Sequence, residues 1–328
     1  MGYAIDLADI ESAAVRIRTL AHETPVITSS FVDGLTSKRV FFKCEIFQKG
    51  GAFKFRGACN AVFSLPEDQA CKGVIAHSSG NHAGALALAA KLRGIPCTVI
   101  TPQGTPKCKL DAIRGYNAHV MECAPTMDAR EAMCAAEQKR TGAIFVPPYN
   151  AAEIMAGQGT IAPEFLRQVS EPLDALVVPV SGGGMISGIA VAAKRLQPGI
   201  KIYAAEPRGN NDAADVKAAK DAGDLVPMAR PNTIADGLQG RLGDLTWPIV
   251  RDLVDGVIAI SDQDILAAMR ICFERMKVVV EPSGAAGLAA MLTPQFRLLP
   301  HARVGVILCG GNVDLDALWP LIEAKIPI

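Results

Sequence analysis

The sequence predicts an α/β protein with two open, twisted parallel sheets and a cleft between them. Short apolar runs alternate with stretches of helical periodicity twice along the chain, over 74–146 and again over 176–308. Such alternation is typical of parallel βαβ units. The chain of 328 residues is long enough for two such units. Ligands of open α/β sheets bind at the carboxyl ends of the strands, so we expect the functional site there.

The predicted elements follow this alternation in chain order. Residues 6–21 carry apolar side chains at helical spacing, and a proline lies in the break at 22–25. A strand over 39–47 and a helix over 56–63 come next. The first series comprises strands over 74–76, 98–101, 119–122 and 143–146 and helices over 83–92, 107–114 and 127–140. The second comprises strands over 176–180, 202–205, 257–260 and 304–308 and helices over 186–196, 212–222, 247–254 and 285–292, with a further helix opened by Ser261.

Composition and charge exclude several classes of protein. The residues are 50% hydrophobic and 20% charged, and 33 basic residues balance 33 acidic ones. This balance indicates neither a disordered chain nor one that binds nucleic acid or an acidic membrane surface. No apolar run is long enough to span a bilayer. The nine cysteines are scattered without a Cys-x-x-Cys pair, which favours buried thiols in a reducing compartment. We therefore expect a cytoplasmic globular protein.

Lys54 is the first candidate for catalysis, because it lies between two phenylalanines in a segment that contains three glycines. Burial lowers the pKa of an ammonium group and increases the fraction of free amine. A free amine forms a Schiff base with an aldehyde cofactor. For an isolated Phe-Lys-Phe, a surface lysine with its stem along core aromatics is the alternative. The motifs that follow favour the catalytic role.

The loop 78–82, with the sequence Ser-Ser-Gly-Asn-His, follows one predicted strand and opens the next predicted helix. Backbone N–H groups and the helix dipole favour a carboxylate or phosphate at such a position. An ordinary helix cap is the alternative, since Ser and Asn are common cap residues. His82 has no partner at metal-ligand spacing, which argues against a metal site.

The loop 181–185, with the sequence Ser-Gly-Gly-Gly-Met, directly follows an apolar strand and is the stronger anion-binding signal. Consecutive glycines before a helix let backbone N–H groups surround a phosphate. A dinucleotide loop that starts at Gly182 needs a glycine where Ser187 stands. The sequence therefore favours the phosphate of a mononucleotide-sized cofactor.

Two further strand ends carry candidate site residues. Glu206 and Asp212 lie on one loop, where carboxylates and free carbonyls suit a hard cation such as Mg²⁺ or Ca²⁺. A solvated acidic loop is the alternative reading of these residues. Cys309 directly follows the last predicted strand and precedes two glycines that allow a cofactor ring to approach closely. A buried structural cysteine is the alternative there.

Together these motifs resemble the fold-type II pyridoxal phosphate (PLP) enzymes. Within them the chain is most similar to the serine racemase and serine/threonine dehydratase branch, in its eukaryotic racemase form. The resemblance covers nearly the whole chain, and its matching segments are 51–58, 78–82, 182–185, 204–207, 233–237 and 309–315. It implies two sheet domains with the active site in the cleft between them, a larger PLP-binding domain over 1–72 and 150–328 and a smaller mobile domain over 73–149.

The resemblance implies two acid–base residues. Lys54 would hold PLP as a Schiff base and act on one face of the substrate α-carbon, while Ser79 would act on the opposite face. The implied substrate-binding residues are Ser78, Ser79, Asn81, His82 and Arg130. The implied reaction interconverts L-serine and D-serine and also eliminates serine to pyruvate and ammonia. A serine or threonine dehydratase with little racemase activity is the alternative.

The resemblance also implies the cofactor contacts. Phe53 would pack on the PLP ring, Asn81 would donate to its phenolic oxygen, and Cys309 would face the pyridine nitrogen. The implied phosphate-binding residues are Ser181, Gly182, Gly183, Gly184 and Met185. Ser181 departs from the family, which usually has a glycine there, but its backbone N–H can still serve. Cys309 stands where most serine racemases have serine, and this leaves open the balance between racemisation and elimination.

A divalent cation, ATP and a second subunit are further implications of the resemblance. Mg²⁺, Ca²⁺ or Mn²⁺ would bind Glu206, the carbonyl of Asn210 and Asp212. ATP would bind as an allosteric activator at a homodimer interface, through Ser29, Ser30, Phe31, Lys49, Gly50, Tyr116, Lys277 and Asn312. Gly84 replaces a glutamine that is usual near the nucleotide, and Cys108 matches a cysteine near it, so thiol modification would affect activity.

Two function classes outside this branch remain as alternatives. One is a non-catalytic binding protein on the same fold, which the intact Lys54 and Ser79 disfavour. The other is an NAD-dependent oxidoreductase, which the glycine spacing disfavours.

Overall fold

The computed structural model describes residues 2–105 and 107–323. The strands are β1 (Val26–Thr28), β2 (Arg39–Cys44), β3 (Val74–His77), β4 (Cys97–Pro102), β5 (His119–Cys123), β6 (Ile144–Phe145), β7 (Ala175–Pro179), β8 (Lys201–Pro207), β9 (Gly256–Ile260) and β10 (Arg303–Leu308). The helices are α1 (Leu7–Ile17), α2 (Ser30–Thr36), α3 (Lys54–Ser64), α4 (Glu67–Ala70), α5 (Asn81–Arg93), α6 (Lys107–Gly115), α7 (Met127–Thr141), α8 (Ala152–Gly159), α9 (Ile161–Gln168), α10 (Gly184–Leu196), α11 (Asp215–Ala222), α12 (Trp247–Leu253), α13 (Asp262–Ile271), α14 (Pro282–Leu292), α15 (Pro294–Arg297) and α16 (Leu315–Glu323).

The strands form two sheets, as the alternating pattern predicted. The larger sheet has the order β1-β2-β10-β7-β8-β9, and the smaller has the order β5-β4-β3-β6. Their pairs are parallel, except that β1 runs antiparallel to β2 at the edge of the larger sheet. In the centre of that sheet, Val306 of β10 pairs with Phe42 of β2 and with Val177 of β7. The predicted α/β class with two parallel-sheet layers is confirmed.

Helices cover both faces of each sheet, and this explains why the central strands are continuous apolar runs. Every residue of β7 is buried, as expected for a parallel strand covered on both sides. One face of the larger sheet packs against α9, α10 and α12, and the other packs against α13 and α14. In the smaller sheet, α3 and α5 cover one face and α7 covers the other.

Some element boundaries differ from the sequence-based expectation. Helix α1 ends at Ile17 rather than at 21, and the N–H groups of Leu20 and Ala21 share the Ile17 carbonyl in the turn that follows. Helix α11 begins at Asp215 rather than at 212, since Asp212 has φ +49 and this left-handed backbone does not fit a helix.

Helices α8 and α9 were not predicted. The sequence of α8 is apolar or small around most of its circumference, and six of its residues, at 154–159, are buried. It therefore shows little of the one-sided spacing by which an amphipathic helix is recognised.

All four strands of the smaller sheet lie within 74–145, inside the range predicted for the smaller domain. The domain boundaries themselves stay a prediction. The side chain of Cys108 lies outside the described part of the structure. No helix in the described ranges is long and apolar enough to cross a membrane.

Candidate active site

A cavity of about 1040 Å³ lies where loops from the two sheets meet. Its wall includes residues that follow β3 in the smaller sheet and residues that follow β7 and β10 in the larger one. The last two strands are parallel neighbours, so the loops after them lie side by side. All the predicted catalytic, PLP-binding and substrate-binding residues line this cavity, namely Phe53, Lys54, Ser78, Ser79, Asn81, His82, Arg130, Ser181, Gly182, Gly183, Gly184, Met185 and Cys309.

Lys54 is the first residue of α3, and its side chain is half-buried in the cavity wall. Its Nζ donates to the carbonyl of Pro148 at 2.6 Å and lies 5.1 Å from the ring centre of Phe53. The N–H of Phe53 donates to the Cys309 carbonyl at 3.0 Å, which ties the lysine segment to the end of β10. Burial lowers the pKa of Lys54 to about 8. A free amine is therefore accessible near neutral pH, as nucleophilic attack on an aldehyde requires.

The predicted anion-binding loop 78–82 follows β3 and ends in the first turn of α5. The first N–H groups of a helix have no partners inside it, and the helix dipole favours an anion there. Ser78 and Ser79 lie between the strand and the helix, half-buried at the cavity. The loop therefore presents two hydroxyl groups and open N–H groups, and this combination suits a carboxylate.

His82 is held as a neutral ring beside this loop. Its Nε2 lies 2.8 Å from the Val146 carbonyl, which can only accept, so Nε2 carries the hydrogen. Burial and the nearby Lys54 ammonium lower the pKa of His82 to about 3. Its buried Nδ1 has no hydrogen-bond partner within the described residues, so it remains a bare acceptor.

Asn81 has a fixed side-chain amide. Its Nδ2 donates to Glu281 Oε1 at 2.7 Å, and its Oδ1 accepts from Asn312 Nδ2 at 2.9 Å. An amide nitrogen carries two hydrogens, and Glu281 uses one of them. The second is available to a cofactor oxygen, which agrees with the role that the resemblance implied.

Glu281 was missed at the sequence level. Its carboxyl group lines the cavity but is only 5% exposed. Burial, together with the charge of Asp236, raises the pKa of Glu281 to about 8. The sequence feature that could have indicated Glu281 is its position, directly after the apolar run 278–280 and before the proline that starts α14.

The glycine loop after β7 passes close beneath the ring of Tyr149, a residue not predicted for the site. A Cβ at Gly182 would overlap this ring, and one at Gly184 would lie 2.9 Å from the Tyr149 Cβ. Gly183 has φ +87, which side chains rarely tolerate, and caps the N-terminus of α10. Glycine is thus required for close approach, and the helix start fits the phosphate of PLP.

Cys309 presents a neutral thiol. Its Sγ lies 3.3 Å from the Ser283 carbonyl, to which it donates. Burial and the nearby Glu281 raise the pKa of the Cys309 thiol far above its ordinary value. A neutral thiol does not stabilise a positive charge on a ring nitrogen as a carboxylate does. This environment fits PLP with an unprotonated pyridine nitrogen.

Arg130 extends from α7 to the cavity wall. Its buried Nε has no hydrogen-bond partner among the described residues. A guanidinium with an unused donor suits a carboxylate ligand.

The predicted cation residues do not all face one space. Asn210 and Asp212 line a separate cavity of about 340 Å³, together with residues at the start of α13. The carboxylate of Glu206 turns instead to the first turn of α11, where it accepts from the N–H groups of Val216 at 2.7 Å and Lys217 at 2.9 Å. Within 2–105 and 107–323, no cluster of three His, Cys, Asp or Glu side chains is arranged to hold a metal. The three predicted donors are nevertheless all oxygens, which suits a hard cation.

The predicted ATP residues fall into two groups. Gly50, Tyr116 and Asn312 line the main cavity. The other five do not line it, namely Ser29, Ser30, Phe31, Lys49 and Lys277. In this second group, the Ser29 hydroxyl accepts from the Val32 N–H and caps α2. The ring of Phe31 lies 4.7 Å from the guanidinium of Arg275.

Comparisons with known proteins agree with this site. Residues 17–310 match the family of pyridoxal-phosphate dependent enzymes. A serine racemase of Arabidopsis thaliana is 52% identical over 98% of this chain and 98% of its own length. A serine racemase of Homo sapiens is 47% identical over 96% of this chain and 93% of its own. The solved structure of maize serine racemase superposes with a TM-score of 0.94 at 48% identity and covers 98% of both chains. The chain therefore belongs to the family of pyridoxal-phosphate dependent enzymes.

Proposed function

We propose that the protein is a PLP-dependent serine racemase that interconverts L-serine and D-serine and also eliminates serine to pyruvate and ammonia. One observation carries the proposal: Lys54, at the start of α3, and Ser79, in the loop that follows β3 of the smaller sheet, line the same cavity. Racemisation needs a proton acceptor on one face of the α-carbon and a proton donor on the other. The extensive similarity to serine racemases supports serine as the substrate.

Some residues of the cavity transfer the α-proton, and others hold the substrate carboxylate. When bound, PLP withdraws electrons from the substrate α-carbon and thereby makes its hydrogen acidic. Lys54 takes this proton from one face as a free amine, and the Ser79 hydroxyl gives a proton to the other face. In the reverse direction the two residues exchange roles. The N-terminus of α5 and Arg130 hold the substrate carboxylate, so that the α-carbon stays between the two groups.

Elimination begins with the same removal of the α-proton by Lys54, after which the β-hydroxyl takes a proton from the Lys54 ammonium group and leaves as water. Hydrolysis of the remaining fragment gives pyruvate and ammonia. The alternative, a serine or threonine dehydratase, follows if the proton rarely returns from Ser79. The neutral thiol of Cys309 in the cavity wall is the observation that keeps this alternative open.

The test is to incubate the purified protein with L-serine and Mg²⁺, with and without ATP, and to quantify D-serine and pyruvate in one sample. Both products are expected. Pyruvate without D-serine would establish the dehydratase. Borohydride should also abolish a visible absorbance band of the bound cofactor. If no such band is present, the protein is instead a non-catalytic member of the fold.

A divalent cation, Mg²⁺ or else Ca²⁺ or Mn²⁺, is proposed to stabilise the loop after β8. Glu206, the carbonyl of Asn210 and Asp212 would hold it. Burial, with Asp215 alongside, raises the pKa of Glu206 to about 8. A bound cation would offset the cost of ionising these neighbouring buried carboxyl groups.

ATP activation and a homodimer are proposed together. Phe31, Phe47, Val279 and Trp319 are large apolar side chains that are between 37% and 57% exposed. Burial of exposed apolar side chains against a second copy of the chain would stabilise a dimer. Phe31 is also one of the predicted nucleotide residues, so burial of Phe31 in a dimer and nucleotide binding would be coupled.

We also propose that 73–149 moves as a unit to close over the substrate. Lys109 of α6 forms a 2.6 Å ion pair with Asp236, which lies in the chain region assigned to the larger domain. This pair joins the two parts across the cavity that both residues line. We expect the pair to favour the closed arrangement.

A further inference from the structure

Ser181 contributes a hydroxyl group to a loop whose next three residues are glycines. Its Oγ accepts the N–H of Gly240 at 2.7 Å. A Cβ at Gly240 would lie 2.8 Å from this Oγ, so the two backbone segments approach closely. The neighbouring carbonyl of Gly182 accepts from the Thr246 hydroxyl at 2.9 Å. The segment 240–246 therefore supports the glycine loop 181–185 from one side.

The hydroxyl hydrogen of Ser181 remains unused. A serine hydroxyl has one hydrogen to donate and two lone pairs to accept with. The Gly240 N–H occupies a lone pair, and the hydrogen has no acceptor among the described residues. Ser181 is half-buried and lines the cavity next to the N-terminus of α10. Its hydroxyl therefore has a donor left for a ligand at that helix terminus.

We propose that the Ser181 hydroxyl donates this hydrogen to the phosphate of bound PLP while its oxygen holds Gly240 in place. The inference rests on the proposed function, because it needs PLP in the cavity. It adds a side-chain donor to a loop that otherwise offers backbone N–H groups. A hydrogen bond from a hydroxyl to a charged phosphate is stronger than one between neutral groups. Ser181 thus increases affinity for the phosphorylated cofactor specifically.

The test compares PLP with pyridoxal, which has the same ring and aldehyde but no phosphate. Dissociation constants of both ligands are measured by fluorescence titration of the apoenzyme, for the wild type and for Ser181→Ala. We expect Ser181→Ala to weaken PLP binding about tenfold or more, as loss of a charge-assisted hydrogen bond implies. Pyridoxal binding should change much less, so the ratio of the two constants isolates the contact with the phosphate.

Ser187→Ala is the matched control. Ser187 lies in α10, its hydroxyl donates to the Thr246 carbonyl at 3.4 Å, and it does not line the cavity. Its replacement should leave the ratio of the two constants unchanged. Ser181→Gly provides the same comparison if Ser181→Ala does not fold.

Equal weakening of PLP and pyridoxal binding by Ser181→Ala would overturn the inference and leave Ser181 with only its loop contact. Unchanged binding of both ligands would also overturn it. In either case the wild type still binds PLP, so the proposed function stands. Failure of the wild-type apoenzyme to bind PLP would remove the proposed function and this inference together.

Discussion

The carboxyl group of Glu281 accepts a 2.7 Å hydrogen bond from the side-chain nitrogen of Asn81 at the edge of the cofactor cavity. Gly310 approaches so closely that a side chain there would overlap the Glu281 carboxyl group. The negative charge of Asp236 raises the pKa of this carboxyl group, and the positive charge of Lys109 lowers it. Glu281 is therefore a buried acid that orients a predicted cofactor ligand and is neutral at moderate pH.

The first prediction concerns the pH dependence that Glu281 gives to stability. Its pKa rises from 4.5 to about 8 on folding, so the folded state binds more protons than the unfolded state between these values. Stability is then lost as the pH rises through this window. Glu281→Gln removes the titration. We expect its free energy of unfolding, relative to wild type, to increase from pH 5 to pH 8 in urea titrations.

Glu171→Gln serves as the control for Glu281. Glu171 lies at the surface, and its hydrogen bond with Arg39 lowers its pKa. This variant should show no increase in relative stability between the two pH values. If the free energies of unfolding of Glu281→Gln and wild type change in parallel with pH, Glu281 is ionised in the folded protein.

The second prediction concerns the amine of Lys54. Because burial lowers its pKa to about 8, the rate at which the apoenzyme captures PLP should rise with pH and level off above that value. Stopped-flow absorbance of the cofactor band measures this rate. Lys54→Ala should form no cofactor absorbance band that borohydride abolishes. It should also lose both racemisation and elimination of serine. A capture rate that keeps rising beyond pH 10 would indicate an unperturbed lysine.

The sequence was sufficient to predict the parts of the fold that depend on local patterns. The apolar runs before the two predicted anion-binding loops correspond to β3 and β7, and the loops themselves end at α5 and α10. These predictions succeed because parallel strands buried on both faces are apolar throughout. The glycine loop is recognisable for a similar local reason, since close backbone approach excludes side chains.

Other features depend on contacts that are distant in sequence. Glu281 reaches Asn81 across 200 positions, and Tyr149 covers Gly182 from a separate loop. Neither pairing leaves a repeating pattern in the chain. The antiparallel strand β1 is only three residues long and also has no clear alternation. Such features become visible only when the chain is folded.

The third prediction concerns the buried ion pairs beneath α3. The guanidinium of Arg56 contacts Glu45 at 2.8 Å and Glu164 at 2.7 Å. Lys43 also pairs with Glu164 at 2.5 Å, so loss of Arg56 leaves Glu45 as the unpaired charge. We expect Arg56→Leu to lower the free energy of unfolding by about 3–5 kcal/mol.

Arg39→Leu is the comparison for Arg56. In the wild type, Arg39 pairs with Glu171 at the surface, where the two side chains are 60% and 43% exposed. Loss of this pair should lower the free energy of unfolding by at most about 1 kcal/mol. Chemical denaturation of both variants measures the difference. Similar losses in the two variants would show that the buried network is dispensable.

The fourth prediction concerns the proposed cation. If Mg²⁺ or Ca²⁺ holds the loop after β8, a chelator should lower the melting temperature of the wild type, and added cation should restore it. Asp212→Ala should remove this response. Asp262→Ala is not a suitable control, since Asp262 lines the same small cavity. Asp221→Ala, at an exposed ion pair with Lys217 on α11, should keep the response. No effect of the chelator on wild type would argue against the site.

The most direct test of the two-residue mechanism is the product ratio of Ser79→Ala with L-serine as substrate. D-serine and pyruvate are measured in the same reaction for the wild type and for the variant. If Lys54 and Ser79 serve opposite faces of the α-carbon, the variant loses D-serine formation and keeps part of its pyruvate formation, because Lys54 still removes the proton. Retention of both products in the wild-type ratio would contradict the role of Ser79.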